Sequence, residues 1–312
     1  MKIADLPIAE LARRLAAGTL QIQLSPFVAR IESTIESVVQ GVAMMYGGFV
    51  IAHDASFADF HVRVAPGRGI RRWLRPQAHF YFDGVPAFKP LPFDQAYPML
   101  EWGLNWCIAA HCHQYLLMHA AVVEKHGVAA ILPAPPGSGK STLCAGLVSR
   151  GWRLLSDEMA LFDMQTRTLQ PLSRPINLKN ESIDVIHRFQ PGAMLTPAVP
   201  HTAKGTVALM CPPAESAARV AEPATPAWIV FPRYRAGAAA AFEACGKARA
   251  CWMLAEQSFN YDLHGRAGFD ALTTLVDACD CYSFAYGDLE EAVRAFDELP
   301  VPDTTCVAPI SS

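Results

Sequence analysis

Pro133-Ala134-Pro135-Pro136-Gly137-Ser138-Gly139-Lys140-Ser141-Thr142 is the stretch that decides how this chain is read. Ahead of it, Val128-Ala129-Ala130-Ile131-Leu132 is short and wholly apolar, the pattern of a strand buried on both faces. Behind it, Leu143 and Leu147 lie one helical turn apart and Gly151 is placed to stop a helix. Gly137 and Gly139 let the intervening backbone curl with its N–H groups inward, so that phosphates can sit in a nest at a helix N-terminus. The expected nucleotide contacts are Pro136, Gly137, Ser138, Gly139, Lys140, Ser141 and Thr142. Lys140 is expected to reach the β and γ phosphates, and the Ser141 hydroxyl to ligate Mg²⁺. Ala134 stands where such loops usually carry their first glycine, and a ligand-free glycine turn is the competing reading. The flanking strand and helix favour phosphate.

Working outward, His119 to Glu124 and Val128 to Leu132 bracket Lys125-His126-Gly127 as a β-hairpin that feeds the loop. After the loop helix, Trp152 to Ser156 reads as another buried strand, and it ends in the acidic pair Asp157-Glu158. Ligands of open α/β sheets bind outside the carboxyl ends of the strands, which places both carboxylates near the nucleotide. Phosphoryl transfer needs a phosphate cradle, a metal, and a group that orients the acceptor and takes its proton. Lys140, Asp157-Glu158 and His119 are candidates for these parts. An acid at a strand end is often only a turn cap, and a lone histidine at a strand start is usually structural.

With 312 residues the chain has length for one large or two modest domains. Hydrophobic residues make up 52% and charged residues 18%, so much of the surface is expected to be buried in the fold or in an oligomer. A formal charge of −3 gives no general attraction to nucleic acid or to acidic membranes. The nine cysteines are scattered and form no C-x-x-C pair, which fits reduced thiols in the cytoplasm. Cys107, His111, Cys112 and His113 invite a zinc reading, but helical neighbours point about 100° apart, which favours packing. The N-terminus carries acids before Arg13-Arg14, against a signal peptide, and the apolar run Gly41 to Ala52 is too short to span a bilayer.

In chain order, Asp5 to Ala17 reads as an amphipathic helix with Asp5 as N-cap and Gly18 as stop. From Leu20 to about Gly84 the pattern is β, with strands at 21–24, 49–51, 60–64 and 79–82. Arg68, Arg71, Arg72 and Arg75 surround Trp73 in a basic loop, read as a solvated connector ahead of a dock for acidic partners. Proline-rich Val85 to Pro92 reads as a linker, and bulky residues from Met99 to Trp106 mark a connecting helix to about Gln114. Farther on, strands are expected near 206–210, 228–231 and 281–286, with helices near 247–258, 266–278 and 288–299. Ala236 to Ala241 reads as a loose turn, and Asp288 with Glu291 as a capping pattern. The division is 1–92 as a β-rich N-terminal domain with a leading helix, 93–118 as the connecting helix, and 119–312 as the catalytic domain.

From His119 to about Asp163 the sequence resembles the catalytic domain of the bacterial HPr kinase/phosphorylase family. The histidine precedes the loop lysine by 21 residues (119 to 140), and the first acid follows it by 17 (140 to 157). Ser149 to Glu158 is similar to that family's R-G-H-R-L-x-A-D-D segment. The stretches Leu100 to Trp106, Pro175 to Ser182 and His201 to Val207 resemble the subgroup called HPr-related kinase A. The resemblance implies an α/β (α+β) chain whose P-loop kinase core has the fold of HPr kinase and phosphoenolpyruvate carboxykinase. By position it implies Asp157 as general base, Glu158 as magnesium ligand or electrostatic partner, and His119 beside the transferred phosphate. ATP and Mg²⁺ are the implied cofactors. A peptide or protein acceptor is implied, with a PqqD-like peptide-binding protein as associate, and the resemblance leaves room for a homo-oligomer.

The family's E-[IL]-R-G-L-G-I segment has no plain counterpart, with Asn177 and Lys179 near its place, so kinase activity is expected and the reverse, phosphorolytic activity is left open. Arg174 and Lys204 are further candidates for phosphate or substrate contact. The leading expectation is transfer of the γ-phosphoryl group of ATP to a Ser or Thr hydroxyl. A small-molecule kinase, a nucleotide-gated binding module of a peptide-processing complex, and an ATPase are the alternatives.

Overall fold

The computed structural model describes residues 1–52, 57–67, 69 and 74–301. Among these residues the protein is mixed α/β, with two six-stranded sheets and two three-stranded ones. The sheet that carries the glycine loop has the strand order Arg153–Ser156, Ala120–Lys125, Val128–Pro133, Thr225–Tyr234, Asp280–Tyr286, Ala241–Ala244. Its centre is parallel, with Thr225–Tyr234 beside both Val128–Pro133 and Asp280–Tyr286. Both flanks are antiparallel. The expected hairpin is present: Lys125 pairs with Val128, and His126 and Gly127 turn with φ of 56° and 85°. Positive φ at both turn residues matches the twist of the strands they join.

The helix after the loop runs Lys140–Ser149 and buries Leu143, Cys144, Ala145, Leu147 and Val148. These pack with Ala121, Val123, Ala130 and Leu132 from the sheet and Phe284, Val293 and Phe296 from the C-terminal elements. A buried ion pair fastens the flank, where Arg153 bonds Glu124 on the neighbouring strand and also donates to the carbonyls of Arg219 (3.1 Å) and Glu222 (2.9 Å). Asp288 caps the last helix by accepting from the Glu291 amide at 2.9 Å.

Several expectations for the N-terminal part are corrected. The first α-helix begins at Ile8 with Pro7 at its cap, and Asp5 instead accepts from the Lys2 amide at 2.7 Å in the preceding turn. Within the stretch expected to be all β lies the helix Glu36–Met45. Its Val38, Val39, Val42 and Met45 form a buried helical stripe, and tertiary burial outweighs the poor helix propensity of the valines and Gly41. The proline-rich 85–92 is not a free linker, because Val85–Pro86 and Leu91–Pro92 both pair with Gln77–Phe82. Proline is tolerated on such edges because no ladder donor is needed there.

The connecting helix spans Ala96–His111, and the next residues, Tyr115–Met118, form a strand antiparallel to Ala160–Asp163. Ala241–Ala244, at the end of the expected loose turn, is an edge strand. The apolar core formed by residues from Ile3 to Cys112 continues through Leu117, Met159, Leu161, Leu172 and Leu209. Of the basic loop, Arg75 is exposed, while Arg68, Arg71, Arg72 and Trp73 lie outside the described residues. Among the described residues no helix is long and apolar enough to cross a membrane.

Candidate functional site

Strand directions gather the site. Arg153–Ser156, Val128–Pro133, Thr225–Tyr234 and Asp280–Tyr286 all run the same way, and Ala120–Lys125 runs against them. One end of the sheet therefore collects the carboxyl ends of four strands and the starts of the two antiparallel ones, Ala120–Lys125 and Ala241–Ala244. His119, the glycine loop, Asp157-Glu158, Tyr234 and Tyr286 all emerge there.

Gly137 and Gly139 have φ of 85° and 89°, the left-handed region that glycine enters without steric cost. Gly139 also has no space for a side chain, since a Cβ would stand 2.4 Å from the Tyr286 hydroxyl oxygen. The loop is pinned on both sides: the Tyr234 amide donates to the Ser138 carbonyl and the Tyr286 hydroxyl to the Gly139 carbonyl, each at 2.9 Å. Ala134 is buried and has no positive φ, so the absent first glycine asks for no special backbone there. No side chain caps the helix that starts at Lys140, which leaves its first amides facing the loop. The Ser138 Oγ is buried without a partner. Free amides, an orphaned hydroxyl and a lysine at a helix N-terminus are a donor set that fits a polyphosphate.

Beside the loop stands a polar cluster. Lys140 Nζ lies 3.1 Å from His119 Nε2, and His119 Nδ1 lies 3.1 Å from the Glu158 carbonyl oxygen. The carbonyl can only accept, so Nδ1 carries the proton and Nε2 accepts from the ammonium. Burial, with Lys140 adding to it, brings the His119 pKa down to about 4, which makes the imidazole neutral at neutral pH. Burial also lowers Lys140, against the opposing pull of Asp157 and Glu158.

The adjacent acids are pushed in opposite directions. Burial raises Asp157, although Lys140, the Asn177 amide and the Ser141 hydroxyl favour its ionised form. Its Oδ2 accepts from the Asn177 amide at 3.0 Å, and its Oδ1 is buried with no partner. For Glu158 burial works upward but is outweighed by Lys204, Lys179 and Lys140, so its carboxyl is held below the usual range. Its oxygens accept from Asn105 Nδ2 at 2.5 Å and Asn177 Nδ2 at 3.3 Å, and Lys204 Nζ lies 3.8 Å away.

A cleft of about 1340 Å³ opens over this end of the sheet, walled by the loop from Pro135 to Thr142, by His119 and Glu158, and by Lys179 and Lys204. Asp157 lies behind that wall, on a cavity of about 20 Å³ shared with Glu158, Asn105 and Arg174. Arg174 corrects the expectation of a substrate contact. It is buried away from the cleft, and its guanidinium is taken up by Glu101, Asn105 and Tyr46. Asn105, Trp106, Tyr234, Phe259 and Tyr286 also line the cleft and were not among the expected site residues. The two tyrosines close strands parallel to the one that feeds the loop, and that position was the available signal.

Glu158 and Ser141 both line the cleft and carry oxygen donors of the kind that Mg²⁺ takes, an ion that commonly uses one or two protein oxygens and fills its sphere with phosphate and water. Elsewhere, Cys107 and Cys112 are buried thiols, each pushed up to about 12 by burial. His111 stacks on Phe82 at 4.8 Å. Among the described residues no three His, Cys, Asp or Glu side chains are grouped to hold a metal. No protein-family model matches this chain, and no curated protein matches it. The likeness to the HPr kinases rests on the motifs quoted above.

Proposed function

We propose that this protein is a phosphotransferase with a P-loop kinase core that uses a nucleoside triphosphate. More particularly, it is an ATP-dependent kinase that transfers the γ-phosphoryl group to a Ser or Thr hydroxyl of a peptide or small protein. The observation that carries this reading is the uncapped helix N-terminus at Lys140, set beside two carboxylates of opposed acidity. The loop amides and Lys140 bind and orient the polyphosphate, and neutral His119 holds the Lys140 ammonium in place. Mg²⁺, when bound by Ser141 and Glu158, supplies charge neutralisation on the phosphates.

Of the two acids Asp157 has the chemistry suited to the acceptor's proton, and the acceptor has to reach it past the Glu158 wall of the cleft. The Asp157 Oδ1 is without a partner and burial raises its pKa, whereas both Glu158 oxygens are engaged and its pKa is lowered. Environments that drive two neighbouring carboxyls apart commonly divide such roles. The cleft exceeds the roughly 300–1,000 Å³ of common ligand pockets, which leaves space for an acceptor beside the nucleotide. The scattered cysteines support a cytoplasmic setting, and a PqqD-like associate remains an implication of the resemblance.

The test is incubation of wild type and Asp157→Asn with γ-labelled ATP, Mg²⁺ and lysate of the source cells. Label on a discrete polypeptide with wild type, reduced by roughly 10²–10⁴ with the variant, is expected for a base of this kind. Label recovered only in small molecules or as free phosphate with wild type contradicts the polypeptide-kinase reading.

A further inference from the structure

The stretch Glu101-Trp102-Gly103-Leu104-Asn105-Trp106 belongs to the sequence resemblance, yet no chemistry attaches to it from the sequence. In the structure it lies on the helix Ala96–His111, where 101 and 105, and likewise 102 and 106, are one turn apart and share a face. Glu101 is buried and accepts from the Tyr46 hydroxyl at 2.8 and 2.9 Å and from Arg174 at 2.7 Å. Another nitrogen of the same guanidinium donates to Asn105 Oδ1 at 2.6 Å.

That contact fixes the amide. A guanidinium has only donors, so the Asn105 oxygen must face Arg174 and its NH₂ must face the other way. The NH₂ meets Glu158 Oε2 at 2.5 Å. On the other carboxylate oxygen, Lys204 Nζ lies 3.8 Å from Oε1 and also stands 5.2 Å from the centre of the Trp102 ring.

We propose that this helix segment is the positioning apparatus of Glu158, with Asn105 as its key residue and the Tyr46–Glu101–Arg174 triad as its anchor. Asn105 orients one carboxylate oxygen, while Trp102 and Asn177 act on the other through Lys204 and by direct donation. The part Glu158 plays in metal binding rests on the kinase reading, whereas the positioning rests on the contacts alone. A buried Arg–Glu pair gives little net stability relative to apolar side chains of the same volume, so orientation is what this one supplies. Hydrogen-bond partners behind a metal ligand matter by roughly 10–100-fold in affinity or activity.

The test is a double-mutant cycle of Asn105→Leu with Glu158→Gln, read by Mn²⁺ binding to the ATP-loaded protein in electron paramagnetic resonance and by kcat and KM for ATP. Asn105→Asp accompanies it, since its carboxylate keeps a partner for Arg174 while turning a repelling oxygen toward Glu158. Both Asn105 variants are expected to weaken Mn²⁺ and lower kcat by about 10–100-fold, with KM for ATP changed about threefold at most. In the Glu158→Gln background, Asn105→Leu is expected to cost nothing more, because residues acting through one another are not additive. Equal losses in both backgrounds, or wild-type Mn²⁺ binding and kcat in Asn105→Leu, overturn the proposal. Should Asn105→Leu fail to fold, Asn105→Asp decides by the same two readouts. Absent turnover in wild type, with Mn²⁺ binding weakened by Asn105→Asp, overturns the kinase reading and supports this one.

Discussion

His119 illustrates how a side chain gains its character from its neighbours. Buried and set 3.1 Å from the Lys140 ammonium, it has a pKa of about 4 in the fold against an ordinary 6.5. The unfolded chain therefore takes up the proton first as pH falls. The stability this site contributes is complete above about 6.5 and is lost as pH drops from there toward about 4. Wild type is expected to lose stability relative to His119→Gln across that window in urea melts of the metal-free protein. A constant difference between the two would place His119 in a more polar setting. The sequence made Lys140, His119 and the acidic pair legible because each sits at a fixed offset from the glycine loop. Arg174 was misread because its partner Glu101 lies 73 residues away, and a cation's partner across such a distance leaves no local trace. Tyr286 and Tyr234 were missed for a related reason, since their contacts with the loop depend on which strands become neighbours.

At the level of elements, apolar runs bounded by glycine were read well. The hairpin, the loop helix, Arg266–Ala278 and the capped last helix stand where the pattern put them. Glu36–Met45 falls inside the stretch whose overall pattern is β and carries valines that suit strands, and its burial on one face selects the helix. The pairing of Arg153–Ser156 with Ala120–Lys125 is held by the Glu124–Arg153 pair, both side chains nearly inaccessible to solvent. Glu124→Ala leaves that buried guanidinium with carbonyl partners and only the half-exposed Glu222 carboxylate at 3.9 Å, and a loss of about 3–5 kcal/mol is expected in equilibrium unfolding. A loss below about 1 kcal/mol would mean that the pair behaves like one at the surface. Asp157-Glu158 follow directly on Arg153–Ser156, so the destabilised Glu124→Ala flank is also the place to look for changes in the acids' positions.

For the whole molecule, the N-terminal part and the glycine-loop part share a core through Leu117, Met159 and Leu161, and they share the site through Asn105 and Trp106. Composition foretold extensive burial but not this arrangement, because long-range packing of a helix against another sheet has no periodic signature. The mixed α/β class and the strand–loop–helix around Lys140 were thus legible, while the contribution of the first 118 residues to the cleft was not. All of the chemistry assigned above depends on a polyphosphate resting on the helix N-terminus at Lys140. Calorimetric titration of ATP, ADP and AMP into wild type, Lys140→Ala and Gly139→Val tests that most directly. ATP and ADP are expected to bind wild type and AMP weakly or not at all, because the phosphates supply the contacts. Lys140→Ala is expected to weaken ATP by at least about tenfold through the lost charge-assisted contact. Gly139→Val should do so more severely, since its side chain would enter the space of Tyr286. Equal binding of AMP and ATP, or ATP affinity untouched by both substitutions, would contradict the account.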